Sequence, residues 1–582
     1  MKAFALALGV SMTTAMSAQA AALSAQQQFI KVSDEYFDQV YFPNQPTAGT
    51  LAGYHQYDAQ LEDYSGKSID AEIAALRNFE TRIAAIPPAG LDLTTKGDRE
   101  IVLGNIRSTL LALETIRPWE KNPDSYSSGI SGSAFALMER KFASPDDRLR
   151  SLIARENLMP SRLDEARANL KNPPHIYTEI AIEQLPGIIS FFEHDVPAAF
   201  TDAQDATLKS EFAQTNAAVI AALNSYEAWL KSDMLAKSNG DFRIGAETFR
   251  KKLAYDEMVD LPLDKLLEIG WADLHKNQEH FKQVAKELEP GKDAGQVLEE
   301  LGEDHPAPDQ LLASFRATFT SLVGFIRSHH IVTIPSDIQP IVEETPPFMR
   351  ATTFASMDTP GPYEKNATEA YFNVTLPDPS MTPAEVEGYM HSFNVGTVIS
   401  TAVHEAYPGH YVQFLWVPQA PSRVRKLLGA NTDVEGWAHY CEQMMLDEGY
   451  GQPGAGAKDE RESKLLRLGQ LQDALLRNAR FIVGIEMHTG KMSFDQAVEF
   501  FQKEGYQSKE TAMVETKRGT GDPTYLYYTL GKLQIMKLRE DLKKKEGAAF
   551  SLEKFHDDFL KQGFPPIAIV RQALLGDSSP TL

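Results

Sequence analysis

A chain of 582 residues with 43% hydrophobic content is long enough to bury a large core, as one helical body or as two lobes. Its formal net charge of -23 argues against nucleic acid or an anionic membrane as partner and fits a solvated surface. The single cysteine, Cys441, cannot form an internal disulfide, so an exported chain of this composition must be held together by its core.

At the N-terminus, Lys2 precedes an apolar run from Ala3 to Val10, and Ala18-Gln19-Ala20 supplies a small-residue cleavage site. This pattern predicts a secretory signal peptide over residues 1–20. Ser11, Thr13, Thr14, Ser17 and Gln19 interrupt the apolar run, and no later segment reaches spanning length. The mature protein is therefore expected to be soluble and periplasmic or secreted, with no membrane insertion after the signal is removed. No cysteine stands at the cleavage point to accept the lipid of a bacterial lipoprotein.

The dominant period beyond is helical. Apolar residues three and four apart predict helices over Ala71–Ile86, Gly97–Ile116, Asp147–Leu170, Asp202–Lys231, Leu263–Leu288 and Glu460–His488. Strand signals are few: Ala370–Leu376, closed by Pro377, and a second near Ile331–Ile334. The Ser238-Asn239-Gly240 turn suggests a soft division into an N-terminal helical region, 21–240, and a region, 241–582, that holds every chemical motif. One continuous domain is equally compatible with the composition.

The chemistry is concentrated in His404-Glu405-Ala406-Tyr407-Pro408-Gly409-His410 and, further on, Glu435-Gly436-Trp437-Ala438-His439-Tyr440. Two imidazoles and a later carboxylate form the ligand set of a hydrolytic zinc site, and the Glu after the first His is where such sites keep their general base. The usual spacing is H-E-x-x-H, one helical turn. Here Pro408 stands where the second His would be, and His410 is about 600° of regular helical rotation from His404. The two can converge only if the helix breaks between them, and Pro408-Gly409 supplies residues that break helices. Glu435, His439 and Glu442 share one helical face, with Asn431-Thr432-Asp433 available to cap its start. Glu435 is the expected third ligand. His439 and Glu442 are candidate supports for the ligands, or an alternative ligand pair.

These motifs, with Asp522-Pro523-Thr524-Tyr525-Leu526-Tyr527-Tyr528-Thr529-Leu530-Gly531-Lys532, Phe555-His556-Asp557 and Gly563-Phe564-Pro565-Pro566, resemble the bacterial family known as domain of unknown function 885, over nearly all of the mature chain. The resemblance implies a mainly α fold, a large helical metallopeptidase-like body with a deep cleft and a small β element near the site. It implies a zinc peptidase similar in outline to thimet oligopeptidase, whose third ligand is a Glu 25 residues after its second His. Glu435 is likewise 25 residues after His410, although the longer spacing from His404 to His410 departs from that peptidase pattern.

The expected reaction is hydrolysis of a peptide by metal-activated water, with one Zn2+ and Glu405 as general base. Tyr528 is the expected oxyanion donor, ahead of Tyr525 and Tyr527. Arg518 is a candidate for binding a substrate carboxylate, and the strand Ala370–Leu376 a candidate for pairing with an extended peptide. A nucleophilic Cys441 with His439 as base is disfavoured, because residues two apart on a helix point in nearly opposite directions. The non-enzyme alternative is an exported peptide- or metal-binding protein, which has no need of a base at position 405.

Overall fold

The computed structural model describes residues 23–346, 349–350 and 353–582, so the signal peptide expected over 1–20 lies outside the described residues. The fold is mainly α. Helices expected over Ala71–Ile86, Gly97–Ile116 and Asp202–Lys231 form as Gly66–Ala84, Leu93–Leu111 and Ala206–Trp229, the last two running on into a wider π turn. The stretch from Asp147 to Leu170 is two helices, Pro145–Glu156 and Met159–Asn169. Pro160 lacks a backbone donor and so sits in the first turn of the second, where none is needed.

The elements that position the site lie in the C-terminal half. They are α1 (Leu263–Leu288), α2 (Val395–Glu405), α3 (His410–Trp416), α4 (Asn431–Asp447), α5 (Glu460–His488), α6 (Lys509–Gly521) and α7 (Tyr527–Glu546). Eighteen residues of α5 are buried, as befits a helix enclosed by neighbours on most sides. Two glycine contacts set how closely the helices approach. A Cβ on Gly436 of α4 would lie 2.6 Å from Gly531 Cα of α7, and one on Gly469 of α5 would lie 2.4 Å from the Gly396 carbonyl carbon of α2. Backbone therefore packs on backbone at both crossings, which no side chain would permit.

A small sheet stands beside these helices, with β1 (Ile341–Glu344) and β2 (Ala355–Asp358) flanking β3 (Tyr371–Val374). β1 runs parallel to β3 with Val342 opposite Phe372, and β2 runs antiparallel with Met357 opposite Phe372. The expected strand at 370–376 is thus present but central. Both its sides are taken, so it cannot pair with a peptide as a free edge. The expected strand at 331–334 does not form. His556 Nδ1 donates to the Ile331 carbonyl at 2.6 Å and the Thr333 amide donates to Asp557 at 2.9 Å, so side chains satisfy that backbone instead of a neighbouring strand.

Around the sheet and α2 to α4, one core joins Phe315, Phe319, Phe372, Tyr407, Trp437 and Phe559. The N-terminal helices have their own cores, one of which takes in Val424, Leu428 and Ile569 from the other half. Arg425 pairs with Asp98 at 2.6 Å with both side chains buried, and Tyr177 donates to the Thr520 carbonyl at 2.5 Å. Packing therefore crosses the turn at 238–240. Among the described residues, no helix is long and apolar enough to cross a membrane.

Candidate metal centre

α2 stops at Glu405 and α3 begins at His410, so the helix is interrupted at 406–409. The Tyr407–Pro408 peptide is cis, and the Pro408 carbonyl accepts from the Trp437 indole at 2.9 Å. Gly409 is required by space: a Cβ there would lie 1.8 Å from the His404 carbonyl oxygen and 2.4 Å from that of Val403. The Gly409 amide donates to Val403 at 3.0 Å. Folding the chain back on α2 in this way brings the His410 ring to 4.8 Å from the His404 ring, at 88° to it.

Glu435 reaches the same point from α4. Its Oε2 lies 3.4 Å from Nε2 of both His404 and His410. His404 Nδ1 is 2.7 Å from Glu442 Oε1, and because an ionised carboxylate only accepts, the proton is assigned to Nδ1 and the lone pair to Nε2. Glu435 Oε2 and His410 Nδ1 are buried with no hydrogen-bond partner. A buried carboxylate oxygen facing the His404 Nε2 lone pair is repulsive unless a proton or a metal cation lies between them. The three ligand atoms lie within 4.8 Å of one another, so His404, His410 and Glu435 fit a single divalent cation.

The electrostatics agree. Burial opposes protonation of His404, but the carboxylates of Glu435 and Glu442 beside it outweigh that and push the imidazole up to about 9. Burial also opposes ionisation of Glu435, yet the His410 and His404 rings hold its carboxyl well below the usual range. The pocket therefore favours positive charge. Burial pushes the Glu405 carboxyl up, the direction that suits a base working near neutrality.

The chain start of α4 is not capped by Asn431, Thr432 or Asp433 as expected, because Asn431 is already the first helical residue. Buried Glu257 caps it from outside, accepting from the Asn431 amide at 3.2 Å and from the Thr432 amide and hydroxyl at 2.8 and 2.6 Å. Further along α4, His439 and Glu442 lie behind the ligands. Glu442 Oε2 is 3.1 Å from His439 Nδ1, and Glu442 Oε1 is 3.3 Å from Arg477. Burial drives His439 down to about 4, keeping it neutral. Cys441 is buried and its thiol is pushed well up by that burial, which removes it as a nucleophile.

His404 and Glu405 open onto a cavity of about 660 Å³ that Tyr528 also lines. The Tyr528 ring lies 6.3 Å from that of His404 and is stacked on it, and its hydroxyl oxygen accepts from Arg518 at 3.0 Å. The hydroxyl proton is left to be donated. Tyr527 donates to Asp522 at 2.6 Å and the Tyr525 hydroxyl is packed beside Gly519, so of the three tyrosines Tyr528 is the one that lines the cavity. A second His/Glu group, His305, Glu387 and His391, has its carboxylate 61% exposed, and only His391 of the three lines the same cavity.

Sequence reasoning missed one wall of the cavity. Asp473, Arg477 and Arg480 project from α5, with Arg477 within 3.2 Å of Asp473 and Arg480 held by Glu515 of α6 at 2.6 and 2.7 Å. Their i, i+4, i+7 spacing, on a helix otherwise rich in apolar residues, was the available signal.

Fold and site together define a large, mainly helical protein with a candidate His/His/Glu metal centre at the side of an arginine-rich cavity. The chain belongs to the bacterial family of unknown function DUF885, whose model matches residues 46–574. Among solved structures, it is similar to a candidate lipoprotein of unknown function from Shewanella oneidensis, at 27% identity and TM-score 0.75, over 95% of this chain and 100% of that one. A candidate lipoprotein from Colwellia psychrerythraea shares the fold at 19% identity and TM-score 0.74, over 95% and 99% of the two chains. No curated protein matches the chain.

Proposed function

We propose that the protein is an exported metal-dependent hydrolase that cleaves peptide bonds, with zinc held by His404, His410 and Glu435. The observation that carries this reading is the convergence of three buried acceptors, one of them an unpartnered carboxylate oxygen, on one point beside Glu405. A divalent cation bound there supplies Lewis acidity, which lowers the pKa of a water and polarises a carbonyl. Glu405, buried and facing the cavity, takes the proton from the attacking water and returns it to the leaving amine. Tyr528 donates its hydroxyl proton to the negative charge that develops on the carbonyl oxygen. Glu442 fixes the His404 tautomer.

Export is supported by the N-terminal Lys2 and the apolar run to Val10, and by the two solved neighbours described as candidate lipoproteins.

The test is elemental analysis of purified protein combined with a peptide-library digest. One equivalent of metal and cleavage are expected of the parent and neither of His404→Ala. Glu405→Gln should keep the metal and lose activity by about a thousandfold. A Glu405→Gln protein that digests peptides as well as the parent would remove the base assignment. A metal-loaded parent that cleaves nothing would favour a binding protein.

A further inference from the structure

Three guanidinium groups, Arg477, Arg480 and Arg518, line the cavity together with His404, Glu405 and Tyr528. They surround the Tyr528 ring, with their central carbons 5.9, 4.7 and 5.7 Å from its centroid. Two of the three are matched by carboxylates of their own. Arg480 forms a two-pronged pair with Glu515, and Arg477 lies between Glu442 and Asp473.

Arg518 differs. Its one hydrogen bond among the described residues goes to the Tyr528 hydroxyl, a neutral acceptor. The nearest carboxylate, Asp522, is 3.7 Å away, beyond hydrogen-bond length, and its Oδ2 already accepts from Tyr527 at 2.6 Å. The Arg518 side chain is 29% exposed, against 7% for Arg480 and 12% for Arg477. It therefore offers a planar fork of donors, partly open to the cavity, whose one ion pair is the long contact to Asp522 and to which no carboxylate is hydrogen-bonded. A carboxylate is the ligand whose two oxygens match that fork.

The neighbour it does have fixes where such a carboxylate would sit relative to the chemistry. Tyr528 touches Arg518 on one side and faces the His404 ring on the other. An anion on Arg518 is thus one tyrosine away from the place where a scissile carbonyl meets Glu405. In an extended peptide, the carboxylate that follows a peptide bond at short range on every substrate, whatever its side chains, is the one at the C-terminus.

We propose that Arg518 binds the free C-terminal carboxylate of the substrate, so that the protein is a carboxypeptidase-type exopeptidase acting on peptides with an unblocked C-terminus. This rests on the peptidase reading given above. In the reaction the oxygen of water bonds to the carbonyl carbon and the C–N bond breaks. The amine nitrogen takes the proton carried by Glu405, and the products are a shortened peptide with a new carboxylate and a C-terminal fragment with a free amine. Nothing is oxidised or reduced.

The experiment compares three synthetic peptides on zinc-loaded protein: the free acid and the C-terminal amide of one sequence, and an amide of that sequence with its last residue replaced by Glu. The free acid should be cleaved with kcat/KM about a hundredfold above both amides, mostly through KM. Binding of the same peptides to Glu405→Gln protein, followed by calorimetry, should show the same order. Arg518→Gln should bring the acid-to-amide ratio close to one, and Arg518→Lys, which keeps the charge but not the fork, should leave it at an intermediate value. Equal cleavage of acid and plain amide overturns the proposal while leaving the peptidase reading intact. Cleavage of the Glu-ended amide as fast as the free acid overturns it in favour of side-chain recognition. A preference that survives in Arg518→Gln overturns the assignment to Arg518, and absence of cleavage of all three by the parent sinks the peptidase reading and the proposal with it.

Discussion

Glu442 touches no cavity residue but His404 and Arg477, yet replacing it with Gln is expected to weaken metal binding by about 10- to 100-fold. Its side chain is fully buried, and its Oε1 accepts a hydrogen bond from His404 Nδ1 at 2.7 Å. The negative charge makes His404 a stronger ligand by stabilising the positive charge that the ring acquires on coordination. An uncharged amide can keep its oxygen toward His404, but the charge is gone. A 10- to 100-fold loss corresponds to about 1.4–2.7 kcal/mol, which is in keeping with one charge-assisted hydrogen bond reduced to a neutral one. Arg477 also loses one of its two carboxylate neighbours and keeps Asp473, so the metal-free protein should lose stability too, by up to about 3 kcal/mol. Competition against a chelator of known affinity measures the first effect, and urea unfolding of chelator-treated protein the second. His439 can change tautomer to accommodate the new amide, since its Nε2 has no partner. The substitution should therefore leave the fold in place. If folded Glu442→Gln held zinc within twofold of the parent, the claim that Glu442 orients and charges His404 would be wrong.

Two further outcomes follow from the same geometry. Gly409→Ala places a methyl group 1.8 Å from the His404 carbonyl oxygen, and both contacts are to backbone. Unfolding stability should fall by about 3 kcal/mol and zinc affinity by more than tenfold, measured by urea titration and chelator competition; wild-type affinity in this variant would show that the turn does not set the convergence of the two rings. His556 is buried, donates from Nδ1 to Ile331, accepts at Nε2 from Tyr440, and is driven down to about 3 by burial. Its folded pKa lies below the unfolded value near 6.5, so its stabilising effect is complete above pH 6.5 and is lost as pH falls toward 3. Between pH 8 and pH 5 the loss should be about 2 kcal/mol, and it should be absent from His556→Gln when the two proteins are unfolded side by side at both pH values.

What could be read from the sequence was whatever depends on neighbours along the chain. The periodicity of Leu263–Leu288 and Glu460–His488 gave helices with those bounds, because an amphipathic or buried helix writes its contacts at fixed spacing. The interruption between His404 and His410 was readable from Pro408 and Gly409, since the residues that break a helix are local signals. That Glu435 meets the two histidines was readable from its place on the following helix, and Glu442 from sharing its face. Contacts between distant segments left no such trace. The cap on α4 comes from Glu257, 174 residues away from Asn431, and nothing in the local pattern marks it. Strand 370–376 was recognisable from its composition, but its central position depends on partners at 341–344 and 355–358, which are short and weakly patterned. The segment at 331–334 has strand-like residues, yet His556 and Asp557 satisfy its backbone. Arg477 and Arg480 would pass for solvated positions on any helix whose burial was unknown.

The three residues of the candidate centre come from three helices, and two of these, α2 and α4, are fixed by backbone contact at glycine, with α5 through Gly396 and Gly469 and with α7 through Gly436 and Gly531. Gly436 is next to Glu435, and Gly531 lies three residues from Tyr528 on α7. The contact that sets the separation of α4 and α7 is thus the same one that places Glu435 relative to Tyr528. At a crossing of this kind a small change in helix separation is not absorbed by side-chain rotation, because there are no side chains at the contact to rotate. The geometry of the site is accordingly fixed by residues that carry no chemistry, and Gly436 and Gly531 are as necessary to it as the histidines they hold Glu435 against.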